Sequence, residues 1–279
     1  MHEPNPISLA AKASGEPTFR EVGVGPWAQT HPGEPRPDDP QSPNYDARYD
    51  SDLLNEGDRR NVLDRYRYWT VEAIKADLDL RGRHGFEVAV ENWTHDFNIG
   101  SMVRTANAFA ARRVHIVGPH KWNRKGALMT ELYQHVEYHP SIDELITTWR
   151  AGIAAEIADC EAQLASLTLN PSHPDFEYER IPDLAMQRVE LREQLRVLRE
   201  ARVIALDIIP GAMPIETYRF PERCLMLFGA EGPGLSEKAV SMADDVVYIS
   251  QFGSVRSINA GAAAAVAMHC WIAQRAGVA

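Results

Sequence analysis

Three short stretches carry residue types that can act on a small polar or anionic ligand. The first, N-x-G-x-x-x-R-T from Asn98 to Thr105, follows an apolar run and opens a helical pattern. Glycine lets the backbone approach a ligand closely, a helix N-terminus favours an anion, and Arg104 stands one turn in. The second, F-G-A-E-G-P-G-L-S from Phe228 to Ser236, places three glycines in six residues directly after an apolar run. Their order is G-x-x-G-x-G, whereas a dinucleotide fold needs G-x-G-x-x-G. No Lys-Ser or Lys-Thr pair follows as in a P-loop. Glu231 sits between two of these glycines, where a carboxylate must be solvated, paired or used. The third, G-S-V-R-S-I-N from Gly253 to Asn259, runs into a stretch of almost nothing but Gly and Ala. Ser257 has the character of an N-cap or first-turn residue, with Asn259 just inside the helix.

These residues need elements to hold them. Apolar runs FEVAVEN, RVHIVG, a stretch near Val136, RVIALDI, CLMLFG and DVVYIS read as strands. Between them lie a helix from Ile99 to Ala111, a short helix opening at Ser236 and the closing Gly/Ala helix. Continuous apolar strands alternating with helices predict an α/β fold, a mostly parallel sheet with helices on both faces. The middle of the chain breaks the rhythm. Ile153, Ile157, Cys160, Leu164 and Leu167 repeat at spacings of four and three, and Leu184, Leu191, Leu195 and Leu198 continue a similar, heptad-compatible spacing. That predicts a helical hairpin with a heptad-like seam, inserted at about 153–202 and turning at Pro171 to Pro174. Arg188, Arg192, Arg196 and Arg199 lie near one flank of its second helix. Pairing with Glu190, Glu193 and Glu200 is favoured for them over contact with RNA, since the hairpin carries more acid than base.

Residues 1–50 are rich in Pro, Gly and Asp and read as an extended tail. From about Glu56 to Leu80 the pattern turns helical, with Val62, Tyr66, Trp69, Ala73 and Ala76 on one stripe. The domain reading is therefore a tail over 1–50, a helical segment over 51–85, and one α/β domain over 86–279 that carries the hairpin.

Composition narrows the function classes. Apolar and charged fractions of 44% and 24% are those of a globular protein, so a fibrous or wholly disordered chain is excluded. No apolar run is long enough to span a bilayer and no signal-peptide pattern opens the chain, so a soluble cytoplasmic protein without membrane contact is expected. Cys160, Cys224 and Cys270 follow no metal or redox spacing and are expected to be buried thiols. His135 and His139 are i, i+4, but their context reads as a strand, so no metal is expected. A net charge of −10 argues against indiscriminate nucleic-acid binding while leaving room for local basic faces. Three such clusters occur, at Arg59–Trp69, Arg81–Gly85 and His120–Lys125, with Tyr66, Tyr68, Trp69 and Trp122 available for base stacking.

Taken together and in this order, the three stretches closely resemble the three motifs of the TrmH/SpoU branch of SPOUT methyltransferases. The resemblance covers about 86–150 and 203–275, not the tail or the hairpin. It implies a C-terminal deep trefoil knot, an exception to the rule against threaded chains, and S-adenosyl-L-methionine bound in that knot. It implies Gly229, Ile249, Gly253 and Ile258 as cofactor contacts, and Arg104, Asn98, Glu231, Ser257 and Asn259 as the catalytic set. It also implies a homodimer in which Arg104 faces the partner's cofactor, and methylation of a ribose 2′-OH in rRNA or tRNA, rRNA slightly favoured. The alternative on the same scaffold is a non-catalytic RNA-binding or ribosome-assembly factor. Two departures lie beside the cofactor site. The family's usual Ile-Pro is Ile249-Ser250 here, and its Val-Ser-Val-Ala after the motif asparagine is Ala260-Gly261-Ala262-Ala263.

Overall fold

The computed structural model describes residues 5–16, 21–93, 98–167, 181–230 and 232–277. They fall into two compact units, Met1–Ala73 and Ile74–Ala279. The first holds α1 (Pro6–Ala13), α2 (Trp27–Thr30) and α3 (Ser51–Glu56). Its small core gathers Trp27, Leu54 and Tyr68, with Val24, Tyr49 and Leu53 packed against them. The carboxylate of Asp58, fully buried, accepts the backbone N–H groups of Arg60 and Tyr68 and pairs with the Arg60 guanidinium at 2.8 Å. The tail reading thus fails from Val24 onward: aromatic residues scattered among the prolines find one another and fold the segment.

The single helix expected from Glu56 to Leu80 is not formed. Gly57 ends α3 at φ 90°, where a Cβ would lie 2.6 Å from the Val24 carbonyl oxygen. Tyr68 takes a left-handed φ of 63°, and the helix resumes only as α4 (Val71–Leu80), after Thr70 Oγ1 accepts the Ala73 N–H. In α4 it is Ile74 that is buried, while Ala76 is exposed. Period alone could not see the interruption, because the turn leaves the apolar spacing intact.

The second unit is built on β1 (Phe86–Glu91), β2 (Val114–Val117), β3 (Val136–His139), β4 (Arg202–Leu206), β5 (Met213–Pro214), β6 (Cys224–Phe228) and β7 (Asp245–Tyr248). The sheet order is β3-β2-β1-β6-β4-β7-β5, and every pairing is parallel. Its helices are α5 (Ile99–Ala108), α6 (Ile142–Ser166), α7 (Ile181–Arg199), α8 (Glu237–Met242) and α9 (Ala260–Arg275). Strand residues alternate between two cores. Val88, Val90, Ile204 and Met226 join the core holding α5 and α9 residues such as Met102, Ala264 and Trp271. Ala89, Val203, Ala205 and Leu225 join the core holding α6, α7 and α8 residues such as Leu145, Leu195 and Ala239. Helices on both faces of a parallel sheet follow directly from strands apolar on both sides.

α5 stops at Ala108, earlier than expected, because Ala110 turns left-handed at φ 48°. The two-residue β5 was not anticipated. α6 runs unbroken from Ile142 to Ser166, so the hairpin's first arm continues the helix after β3 and no boundary marks residue 153. Ile153, Cys160, Leu195 and Leu198 are buried along its seam, while its turn at 168–180 lies outside the described residues. On α7, Arg196 pairs with Glu193 and Glu200, and Arg199 reaches Glu161 across the hairpin at 2.7 Å. Cys160 and Cys224 are buried and Cys270 half-buried, and burial pushes all three thiols up. Among the described residues no helix is long and apolar enough to cross a membrane.

Candidate functional site

The carboxyl ends of β4, β6 and β7 open on one cavity of about 540 Å³. Ligands of open parallel sheets bind at this end. Apolar walls come from Leu206, Phe228, Ile249 and Ile258, and a glycine-rich turn forms a third side. That turn doubles back on itself, with the Gly234 N–H donating to the Ala230 carbonyl at 3.0 Å. A Cβ on Gly229 would stand 2.0 Å from the Gly234 carbonyl carbon, so no larger residue fits. Gly232 and Gly234 both take positive φ.

The opposite wall is the loop after β7. Ser250, where the resembled motif usually has proline, donates its N–H and hydroxyl to the Glu216 carboxylate at 3.2 and 2.9 Å. Two hydrogen bonds thus anchor a backbone that a ring would otherwise stiffen. The loop ends at Asn259, which is itself the N-cap of α9: its Oδ1 accepts the Ala262 N–H at 3.1 Å. Ser257, expected near that cap, stands before it and lines the cavity. The other end of α9 is held by Trp271, whose indole N–H donates to the Pro221 carbonyl, and by Gln274, which bonds Tyr218 and Phe220 backbone groups.

The first stretch reaches this wall through one contact. Asn259 Nδ2 donates to Asn98 Oδ1 at 2.9 Å, joining residues 161 positions apart. Directly behind it, a Cβ on Gly261 would lie 2.5 Å from Ser101 Oγ and 3.5 Å from Asn98 Cβ. The small residue at 261 therefore answers the close crossing of α9 over the start of α5. Asn98 takes the N-cap position of α5 and is turned toward Asn259. Arg104 is exposed on α5, does not line the cavity, and has no partner among the described residues.

Of the expected cofactor contacts, Gly229, Ile249 and Ile258 line the cavity, whereas Gly253 stands in the exposed part of the loop. Ser257 and Asn259 line it as well, and Glu231 lies outside the described residues. Lining residues with polar groups that were missed include Asp207, Tyr248, Gln251 and Arg256. Asp207 closes β4 and accepts the N–H groups of Ile208 and, at 3.4 Å, Leu235, bracing the glycine turn. Its signal was present in RVIALDI, an acid at the carboxyl end of a buried strand. Arg256 fills a motif position at which any residue is allowed, so spacing could not mark it.

The basic clusters separate. In the first, Tyr66, Tyr68 and Trp69 are buried, so they offer no stacking face, and Arg60 and Arg67 are spent on Asp58, Asp64 and backbone carbonyls. In the second, Arg81 and Arg83 pair with Asp77 and Asp79. The third stays available: Lys121, Arg124 and Lys125 are exposed and have no ion pair with a described residue, although Trp122 is buried. This segment abuts the first stretch, since a Cβ on Gly100 would lie 2.9 Å from the Asn123 carbonyl oxygen and from the Ala127 nitrogen.

Fold and site together define a parallel α/β protein with a glycine-framed ligand cavity at the carboxyl edge of its sheet. Residues 178–269 match the SpoU rRNA Methylase family model. The chain is 33% identical over 160 residues to the 23S rRNA (guanosine-2′-O-)-methyltransferase RlmB of Acinetobacter baylyi, covering 56% of this chain and 63% of that protein. It is 35% identical over 79 residues to a tRNA (guanosine(18)-2′-O)-methyltransferase of Thermus thermophilus, covering 28% and 41%. The chain thus spans less than two thirds of the length of these relatives. A crystal structure of the SpoU methyltransferase AviRb from Streptomyces viridochromogenes, in complex with AdoMet, aligns with a TM-score of 0.46 at 21% identity, over 70% of this chain and 60% of that one.

Proposed function

We propose that this chain is an S-adenosylmethionine-dependent RNA methyltransferase acting on a ribose 2′-OH, with rRNA the first substrate to try. The observation that carries the reading is the convergence of the three stretches. The second and third frame one cavity, and the first is tied to it by the Asn98–Asn259 hydrogen bond.

The cavity suits the cofactor: its volume falls within the roughly 300–1,000 Å³ of small-molecule sites, and its glycine turn leaves backbone groups open to a ligand. Leu206, Phe228, Ile249 and Ile258 would sandwich the adenine, while backbone at Gly229 and Gly232–Gly234 would read its edge. When bound, the cofactor supplies an electrophilic methyl group. Methyl transfer is an in-line displacement, so catalysis is mostly positioning of the ribose hydroxyl. Arg104 would grip the adjacent phosphate with two parallel N–H donors and stabilise the alkoxide charge that develops on the 2′ oxygen. A guanidinium stays protonated and is a poor general base, so the hydroxyl proton would pass to solvent water as the O–C bond forms and S-adenosylhomocysteine leaves. Lys121, Arg124 and Lys125 would track the RNA backbone.

Arg104 stands away from its own chain's cavity, which supports a homodimer in which it serves the partner's site. The sheet order supports the trefoil knot, because β6 and β4 are neighbours in the sheet while β7 and β5 lie beyond them. Calorimetry tests the cofactor directly. S-adenosylhomocysteine should bind and NAD should not; the reverse would make the glycine turn a dinucleotide site and end the proposal.

A further inference from the structure

A second cluster of chemistry-bearing side chains lies on β2 and β3, and none of it lines the cavity. His115 and Glu137 are register partners in the parallel pair, and His139 follows two residues later on the same face. His115 Nδ1 and His139 Nε2 are 3.0 Å apart, and Glu137 Oε2 is 3.6 Å from His115 Nδ1. The three ligand atoms lie within 4.8 Å of one another.

The far nitrogens decide what can lie between the rings. His115 Nε2 meets Glu87 Oε2 at 2.7 Å, and His139 Nδ1 meets Glu144 Oε2 at 2.7 Å. Glu87 is itself ion-paired to Arg223 at 2.6 Å, so its carboxylate accepts and His115 Nε2 carries the proton. Glu144 is half-exposed and likewise accepts from His139 Nδ1. In the neutral tautomers that satisfy both carboxylates, His115 Nδ1 and His139 Nε2 turn lone pairs toward each other. Two acceptors at that distance need a metal ion or a proton between them. Histidine ligands backed by carboxylates on their other nitrogens are the usual outer-sphere arrangement of a metal site. Glu137 gives its other oxygen to Arg113 at 2.8 Å and keeps Oε2 toward the pair.

We propose that His115, His139 and Glu137 bind one divalent transition-metal ion of the zinc class, with Glu87 and Glu144 orienting the two imidazoles. Two imidazole nitrogens and one carboxylate leave the fourth tetrahedral position to water. Their softness suits zinc or cobalt over magnesium or calcium. The sequence offered only His135 with His139 as a spaced pair, and no metal was expected there. His135 instead bonds Asp79, and only strand pairing brings in His115.

The test is titration of the chelator-stripped full chain with ZnCl2 by calorimetry and with CoCl2 by visible absorbance. One equivalent should bind, with the intense d–d bands of tetrahedral cobalt. His139→Gln should abolish binding, and the half-exposed Glu144→Gln, which leaves every ligand in place, should weaken it about 10- to 100-fold. No binding by the wild-type chain would leave a shared proton as the filler of the gap and overturn the proposal. So would binding that persists unchanged in both variants, since the ion would then sit on other histidines.

Discussion

Arg104 brings charge to the site without burial: it is exposed on α5, clear of its own cavity and unpaired among the described residues. Its role in the proposed reaction is therefore electrostatic. Arg104→Ala is expected to slow methyl transfer by about 100-fold or more while calorimetric binding of S-adenosylhomocysteine is unchanged; normal turnover would remove it from the reaction. Gly229 makes the opposite demand, for empty space. A methyl group there meets the Gly234 carbonyl carbon at 2.0 Å. Gly229→Ala should cost about 2 kcal/mol of stability by overpacking and abolish S-adenosylhomocysteine binding. A variant that binds like the wild type would show that the turn is not a fixed cradle. Gly229 was legible because a glycine in such a turn has few uses. Arg256 was not, because a variable motif position carries no spacing signal, whereas the acid near the end of RVIALDI was a signal left unread at Asp207.

α9 is the element that joins the site's parts, fixed at one end by Asn259 and at the other by Trp271 and Gln274. Asn259 does two things at once, capping the helix and holding Asn98. Asn259→Ala loses both and should lower stability by about 1 kcal/mol in urea titrations. Asn259→Ser keeps a capping oxygen but cannot span to Asn98, so it should retain most of that stability and still lose methyl transfer. Full activity in the serine variant would reduce Asn259 to a cap. The six longer strands were legible as continuous apolar runs, whereas the two residues of β5 leave no periodic trace. The stripe from Val62 to Ala76 misled because Gly57 and Tyr68 turn the backbone without disturbing the apolar spacing. The small residue at 261 in the Gly/Ala stretch has a physical reason in the close approach of Gly261 to Ser101.

At the scale of the molecule the two units rest on different forces. The second has two apolar cores about its sheet, while the first has a small aromatic core and the buried Asp58. Burial alone would raise that carboxyl, but Arg60 and the N–H groups of Arg60 and Tyr68 outweigh it and hold it below the usual carboxylate range. A depressed folded value means stability that is present above the unfolded pKa and lost as pH falls through the folded one. Acid titration followed by tryptophan fluorescence should show the first unit losing stability below the ordinary carboxylate range. Asp58→Ala should cost about 3 kcal/mol at neutral pH by stranding Arg60 and should flatten that acid dependence; an unchanged profile would place the acid sensitivity elsewhere. The central claim, that three separated stretches assemble one ribose methylating site, is tested most directly by mass spectrometry of RNA nucleosides. Purified chain, labelled S-adenosylmethionine and unmodified rRNA or tRNA should yield label on a ribose 2′ oxygen, absent with Arg104→Ala. Label on a base, or equal labelling by the alanine variant, would contradict it.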